Sequence, residues 1–221
     1  MTGRIVEAYT GEYACGKSEN ALNRALTLAH RGRRVTLVDL DVVEPVYTLR
    51  PIQEELTALG VNMIARSKND TFGLGETGTT ILPAARWALR HEGDVILDIG
   101  YGVHGSRTLN LLEGAQTDPD LKIIAVINIS RPMTASINDI IIHVREMGRV
   151  DALLNNTHLG EETTVEVVQE GARVVTEAAA ALSLPMVATS VTAELADQIG
   201  AKDCMGNPVR NLARYMQKAF W

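Results

Sequence analysis

The chain has 221 residues, 46% of them hydrophobic and 22% charged, with a formal net charge of −6 and a pI near 5.4. That size and apolar content suit one α/β domain with a substantial core, and the acidic balance excludes a nucleic-acid binder working by bulk positive charge. Two cysteines, Cys15 and Cys204, are too few for a disulfide scaffold; no apolar run reaches the ~18 residues of a membrane span, and no apolar leader opens the chain, so a cytoplasmic protein is expected.

The first predicted strand covers residues 3–9 and runs into Gly11-Glu12-Tyr13-Ala14-Cys15-Gly16-Lys17-Ser18. This is a complete G-x-x-x-x-G-K-[ST] phosphate loop. Its glycines let successive N–H groups turn inward on an anion. Lys17 reaches the outer phosphates, and Ser18 offers a hydroxyl to magnesium. A helix follows, with Ala21, Leu22, Ala25, Leu26, Leu28 and Ala29 at helical spacing and Gly32 closing it. Its positive end adds to the site. Cys15, inside the loop, reads as a small filler residue rather than a reactive thiol.

Further strands are predicted at 34–39, 61–65, 94–98, 122–128, 150–155 and 185–189. Val35-Thr36-Leu37-Val38 and Ile123-Ile124-Ala125-Val126-Ile127 are near-continuous apolar runs, as in strands covered on both faces. Asp41-x-x-Glu44-Pro45 also reads as a turn before a helix starting near Pro45. Residues 71–80 read as a polar loop that could face a second substrate or a partner. Val165, Val168, Ala172, Val175, Ala179 and Leu182 make one helical stripe. A last helix is predicted at about 208–219, apolar on one side and basic on the other. Docking on the body is its simpler reading; one short helix on an acidic chain binds lipid weakly, so membrane attachment is not expected.

The alternation of strand and helix predicts a single doubly wound domain over residues 1–221, with a mostly parallel sheet of about seven strands and helices on both faces. Ligands then sit at the carboxyl ends of the strands. Three carboxylates lie there. Asp98 ends the fourth strand in Asp98-Ile99-Gly100 and is the candidate magnesium-supporting residue; Asp39 is placed to share that shell, and Asp41 to orient a water. A helix cap for Asp98 and a turn for Asp41 are the structural alternatives. Guanine readers carry Asn-Lys-x-Asp after a late strand. Here Leu154-Asn155-Asn156-Thr157-His158 lacks the lysine and the carboxylate. Asn155 can instead pair with adenine, so ATP is favoured over GTP, unless the two asparagines merely cap a turn. Arg131, after the fifth strand, reads as a structural arginine or as a contact to phosphate or a partner.

Together the phosphate loop, Asp39-Leu40-Asp41, Asp98-Ile99-Gly100 and Leu154-Asn155 resemble the MinD/ParA/CooC-type (SIMIBI) branch of P-loop ATPases over residues 3–200. Gly16-Lys17-Ser18-Glu19, Asn128 to Thr134 and Asn156 to Thr164 are similar to CobQ/CobB/MinD/ParA-related ATP-binding proteins of that branch. The resemblance implies Mg-ATP bound by residues 11–19, Glu19 included, water activation near Asp41, and magnesium support from Asp98. It also implies a partner protein and a homodimer that sandwiches nucleotide. In that branch a second lysine stands five positions before the main one; here that position is Glu12, which sets this chain apart.

Three functions fit these residues. One is a slow ATPase or nucleotide switch acting on a partner protein, for instance in cofactor or metal-centre assembly, with Lys17 and Asp41 as its catalytic pair. Another is an ATP-dependent phosphotransferase or ligase resembling dethiobiotin synthetase. The third is an interaction module that keeps the fold without catalysis.

Overall fold

The computed structural model describes residues 3–41, 49, 52–65 and 81–216. The predicted helix near Pro45, the polar loop at 71–80 and the final residues 217–221 lie outside the described residues.

The chain runs β1 (Val6–Gly11), α1 (Lys17–His30), β2 (Val35–Leu40), α2 (Gln53–Ala58), β3 (Val61–Ile64), α3 (Pro83–Arg86) and β4 (Asp94–Ile99). It continues through α4 (Gly102–Ser106), β5 (Leu121–Ile127), α5 (Ile137–Glu146), β6 (Ala152–Asn155), α6 (Val165–Leu182), β7 (Met186–Thr192), α7 (Ala193–Ile199) and β8 (Val209–Leu212). Among the described residues eight strands form one sheet in the order β3-β2-β4-β1-β5-β6-β7-β8, and every pairing is parallel. The α/β, doubly wound expectation holds, with one strand more than expected.

That additional strand corrects the predicted C-terminal helix. Val209–Leu212 pair in parallel with Thr189–Thr192. The segment has helical spacing on paper, but the open edge of β7 offers a row of backbone groups that a strand satisfies and a surface helix does not. Tertiary pairing overrides local pattern here. Beyond β8, Ala213 exchanges two 2.8 Å hydrogen bonds with the Asn23 side chain, and Tyr215 and Met216 pack on the core.

Side chains alternate across the sheet and feed two layers. On one face Tyr9, Leu37, Ile96, Ile124 and Leu154 meet Leu22, Ala25 and Leu26 of α1. On the other, Ala125, Ile127 and Leu153 meet Ile140 and Val144 of α5 and Val175 and Ala179 of α6. Of the α6 stripe predicted from sequence, Val168, Ala172, Val175 and Ala179 are buried and Val165 and Leu182 half-buried. α1 ends as expected too: Gly32 adopts φ 72° and its N–H donates to Ala29 O at 2.8 Å. A charged group crosses the apolar layer at β1. Glu7 accepts from Arg24 Nε at 2.8 Å, from Arg24 Nη2 at 2.9 Å and from the Tyr9 hydroxyl at 2.9 Å. Burial and then the Glu7 charge push the Tyr9 phenol far up, so it stays a donor.

The order places β4 between β1 and β2, so the carboxyl ends of β1, β2 and β4 lie side by side. Asp39 is the register partner of Asp98.

Candidate functional site

Gly11 ends β1 at φ 144°, Ala14 takes φ 52° and Gly16 takes φ 92°. These left-handed steps curl residues 11–16 over the amino end of α1, whose first turn has no side-chain cap. Uncapped N–H groups beneath a curled loop are an anion seat. Gly16 has a second constraint: a Cβ there would lie 2.1 Å from Asn156 Nδ2. That amide donates to Cys15 O at 2.8 Å and fastens the loop to the end of β6.

Lys17 is buried at the loop. Its Nζ donates to Glu12 O at 3.1 Å and lies 6.0 Å from the Tyr101 ring centre. Tyr101 follows β4 and meets Tyr13 edge-on, with ring centroids 5.5 Å apart. Cys15 is fully buried and burial pushes its thiol up, against the pull of Lys17. It is a filler residue, as the sequence suggested.

Asp98 and Asp39 sit at the adjoining ends of β4 and β2. Burial first, and the Asp39 charge second, hold the Asp98 carboxyl well above its ordinary range, while a hydrogen bond from Ser18 opposes them. Asp98 Oδ1 is buried with no hydrogen-bond partner. A carboxylate so placed, beside a second carboxylate and a serine hydroxyl, fits a divalent cation held partly by water and phosphate. Among the described residues no three His, Cys, Asp or Glu side chains converge into an all-protein metal cage. Asp41 lines the cavity, and its N–H donates to Asp39 Oδ1 at 3.1 Å.

Two predicted site residues are placed otherwise. Asn155, expected to read adenine, is fully buried. Its Nδ2 donates to Thr189 Oγ1 at 3.2 Å, and its Oδ1 accepts from the Thr157 N–H and hydroxyl at 3.1 and 2.7 Å. α6 closes over it at Gly171, where a Cβ would lie 2.8 Å from Asn155 Oδ1. Asn155 therefore knits β6 to β7, and Asn156 is the asparagine that lines the cavity. Strand alternation carries the reason: neighbours in sequence point to opposite sides. Glu19 lines the cavity, but its carboxylate accepts from the Tyr215 and Met216 N–H groups. Burial raises its carboxyl, which those bonds and Arg214 oppose. It clasps the C-terminal segment.

Glu12 turns back on its own loop. Its Oε1 accepts from the Tyr13 N–H at 2.8 Å, and its Oε2 lies 3.8 Å from Nε2 of the buried His143 on α5.

The cavity holds about 1120 Å³ and runs from Tyr13, Ala14 and Lys17 past Asn156 and His158 to Val191, Leu195 and Met216. Arg131, which the sequence left between a structural role and a contact to phosphate or a partner, lines it together with Arg214 and His158. Burial first, then the Arg131 and Arg214 charges, lower His158 to about 4, so its ring is neutral at pH 7.

The same architecture occurs in solved structures. Cell division protein FtsY from Thermotoga maritima matches with a TM-score of 0.53 at 17% identity, over 88% of this chain and 64% of that one. The signal recognition particle receptor FtsY from Elizabethkingia anophelis matches with a TM-score of 0.58 at 15% identity, over 89% of this chain and 62% of that one. The fold shared with these structures is an α/β, P-loop NTPase-like one. A GDP complex of the Elizabethkingia FtsY matches with a TM-score of 0.55 at 15% identity, over 89% of this chain and 60% of that one. The chain thus spans less than two thirds of the length of these structures. No protein-family model and no curated protein matches the sequence.

Proposed function

We propose that this chain binds Mg-ATP and acts as a slow ATPase or nucleotide-dependent switch on a partner protein. One observation carries the reading. A loop curled by left-handed residues sits on the uncapped end of α1, with Lys17 at its mouth and Asp98, Asp39 and Ser18 converging beside it. Magnesium, when bound, supplies neutralising charge to phosphate oxygens; Ser18, Asp98 and Asp39 are the residues that would hold it. Asp41, at the cavity wall, orients the attacking water.

Adenine remains the preferred base after the reassignment of Asn155. His158 stands where a guanine reader has its carboxylate, and its neutral ring does not replace that acceptor pair. Cofactor or metal-centre assembly is the partner process we favour, on the resemblance to the MinD/ParA/CooC branch.

The cavity supports a second reading. Its volume, about 1120 Å³, is just above the usual range for small-molecule sites, roughly 300–1,000 Å³. That leaves room for an acceptor beside the nucleotide, as an ATP-dependent phosphotransferase or ligase needs. Turnover that requires an added small acid or alcohol selects this reading; turnover that requires a protein selects the switch.

Calorimetry with ATP, GTP and their diphosphates tests the site. Lys17→Ala removes a charge-assisted grip of about 1.5–3 kcal/mol, so ATP affinity falls by about tenfold to a hundredfold or more. Unchanged affinity would remove the phosphate loop from the reading.

A further inference from the structure

We propose that Arg131 is a second nucleotide-contacting cation, gripping phosphate oxygens alongside Lys17 from the end of β5. The inference rests on the nucleotide reading above and names a residue that reading does not use.

The charge balance calls for such a group. A triphosphate brings several negative charges to a wall that already holds Asp98, Asp39 and Asp41. Lys17 is one ammonium, and it also serves the loop through Glu12 O. Arg214, another cation of the cavity, is ion-paired with Glu161. His158 is neutral at pH 7. Arg131 lines the same cavity, and among the described residues its guanidinium has neither an ion pair nor a hydrogen bond. Its Nε is buried and without an acceptor. A buried N–H left so is costly unless a ligand supplies the oxygen.

The backbone around Arg131 is built to hold it. Its N–H donates to Asn128 O at 3.0 Å, and its carbonyl accepts from Thr134 N–H at 3.0 Å. The Thr134 hydroxyl donates to Asn128 O at 2.7 Å. Asn128 also bridges to the next loop: its Nδ2 donates to His158 O at 3.2 Å and its Oδ1 accepts from His158 N–H at 3.3 Å. Two residues before His158, Asn156 holds Cys15 O at 2.8 Å. The seat of Arg131 is therefore tied, bond by bond, to the phosphate loop. A planar fork of N–H donors on such a seat matches phosphate oxygens better than it matches a base.

The test is calorimetry on the full chain with ATP, ADP, AMP and adenosine, each with magnesium, for the wild type, Arg131→Ala, Arg131→Lys and Lys17→Ala. We expect Arg131→Ala to weaken ATP and ADP by about tenfold to a hundredfold and to leave adenosine within twofold. Arg131→Lys keeps the charge but loses the fork, so it should fall between. Unchanged ATP affinity in Arg131→Ala overturns the inference. So does an equal loss for ATP and adenosine, which marks a packing role, and so does a loss that Arg131→Lys does not relieve at all. A wild type that binds none of the four removes the nucleotide reading and this inference together. A loss confined to Lys17→Ala removes the inference alone.

Discussion

At the residue scale the site is governed by buried groups that lack water. Asp98 is held protonation-prone by burial and by Asp39, a state that a divalent cation or the Lys17 ammonium relieves. His158 shows the same physics with the opposite sign. Its folded value, about 4, lies below the ordinary 6.5. Between those values the unfolded chain binds a proton that the folded chain refuses, so stability is present above pH 6.5 and is lost as pH falls toward 4. The shift is worth up to about 3 kcal/mol. Urea melts at pH 7 and pH 5 should show the loss, and His158→Gln should shrink it. A His158→Gln protein with the same pH slope would remove this assignment.

At the element scale β1 is the central strand of the site, and its buried charge is a liability balanced by one helix. Glu7 depends on the two-pronged contact from Arg24 of α1. Replacing one member of a buried pair strands the other. Arg24→Met should cost about 3–5 kcal/mol in chemical denaturation, while Arg24→Met combined with Glu7→Gln should recover part of that. The pair also fixes α1 against β1, and so fixes the first turn that seats the phosphate. The C-terminal segment is tied to the same helix from outside, through Asn23 and Glu19. α1 is therefore a hub between the loop, the sheet and the chain end.

At the scale of the whole molecule, Glu12 decides what kind of assembly fits. Its carboxylate is engaged in its own loop by the Tyr13 N–H and faces His143 of α5. Nothing in that arrangement offers a cation to a second copy. The expected outcome in light scattering is one molecular mass with and without Mg-ATP, and a larger mass for Glu12→Lys with Mg-ATP. A wild type that doubles its mass on nucleotide would show that assembly uses another surface. Among the described residues no helix is long and apolar enough to cross a membrane.

The order of the first seven strands, the phosphate loop, the strand-end aspartates and the apolar stripes of α1 and α6 were determined by sequence alone, because each rests on local spacing: a period near 3.6, an apolar run, a glycine where the backbone must turn. Three things were decided only in the tertiary structure. Asn155 and Asn156 differ by one step along a strand, and only the packing of α6 at Gly171 says which is sealed and which faces the cavity. Val209–Leu212 have a helical pattern, but the open edge of β7 makes them a strand. The sequence leaves Arg131 between a structural role and a contact to phosphate or a partner. It lines the cavity because β5, β6 and the phosphate loop end at one edge of a parallel sheet, and long-range pairing, not local propensity, brings them there.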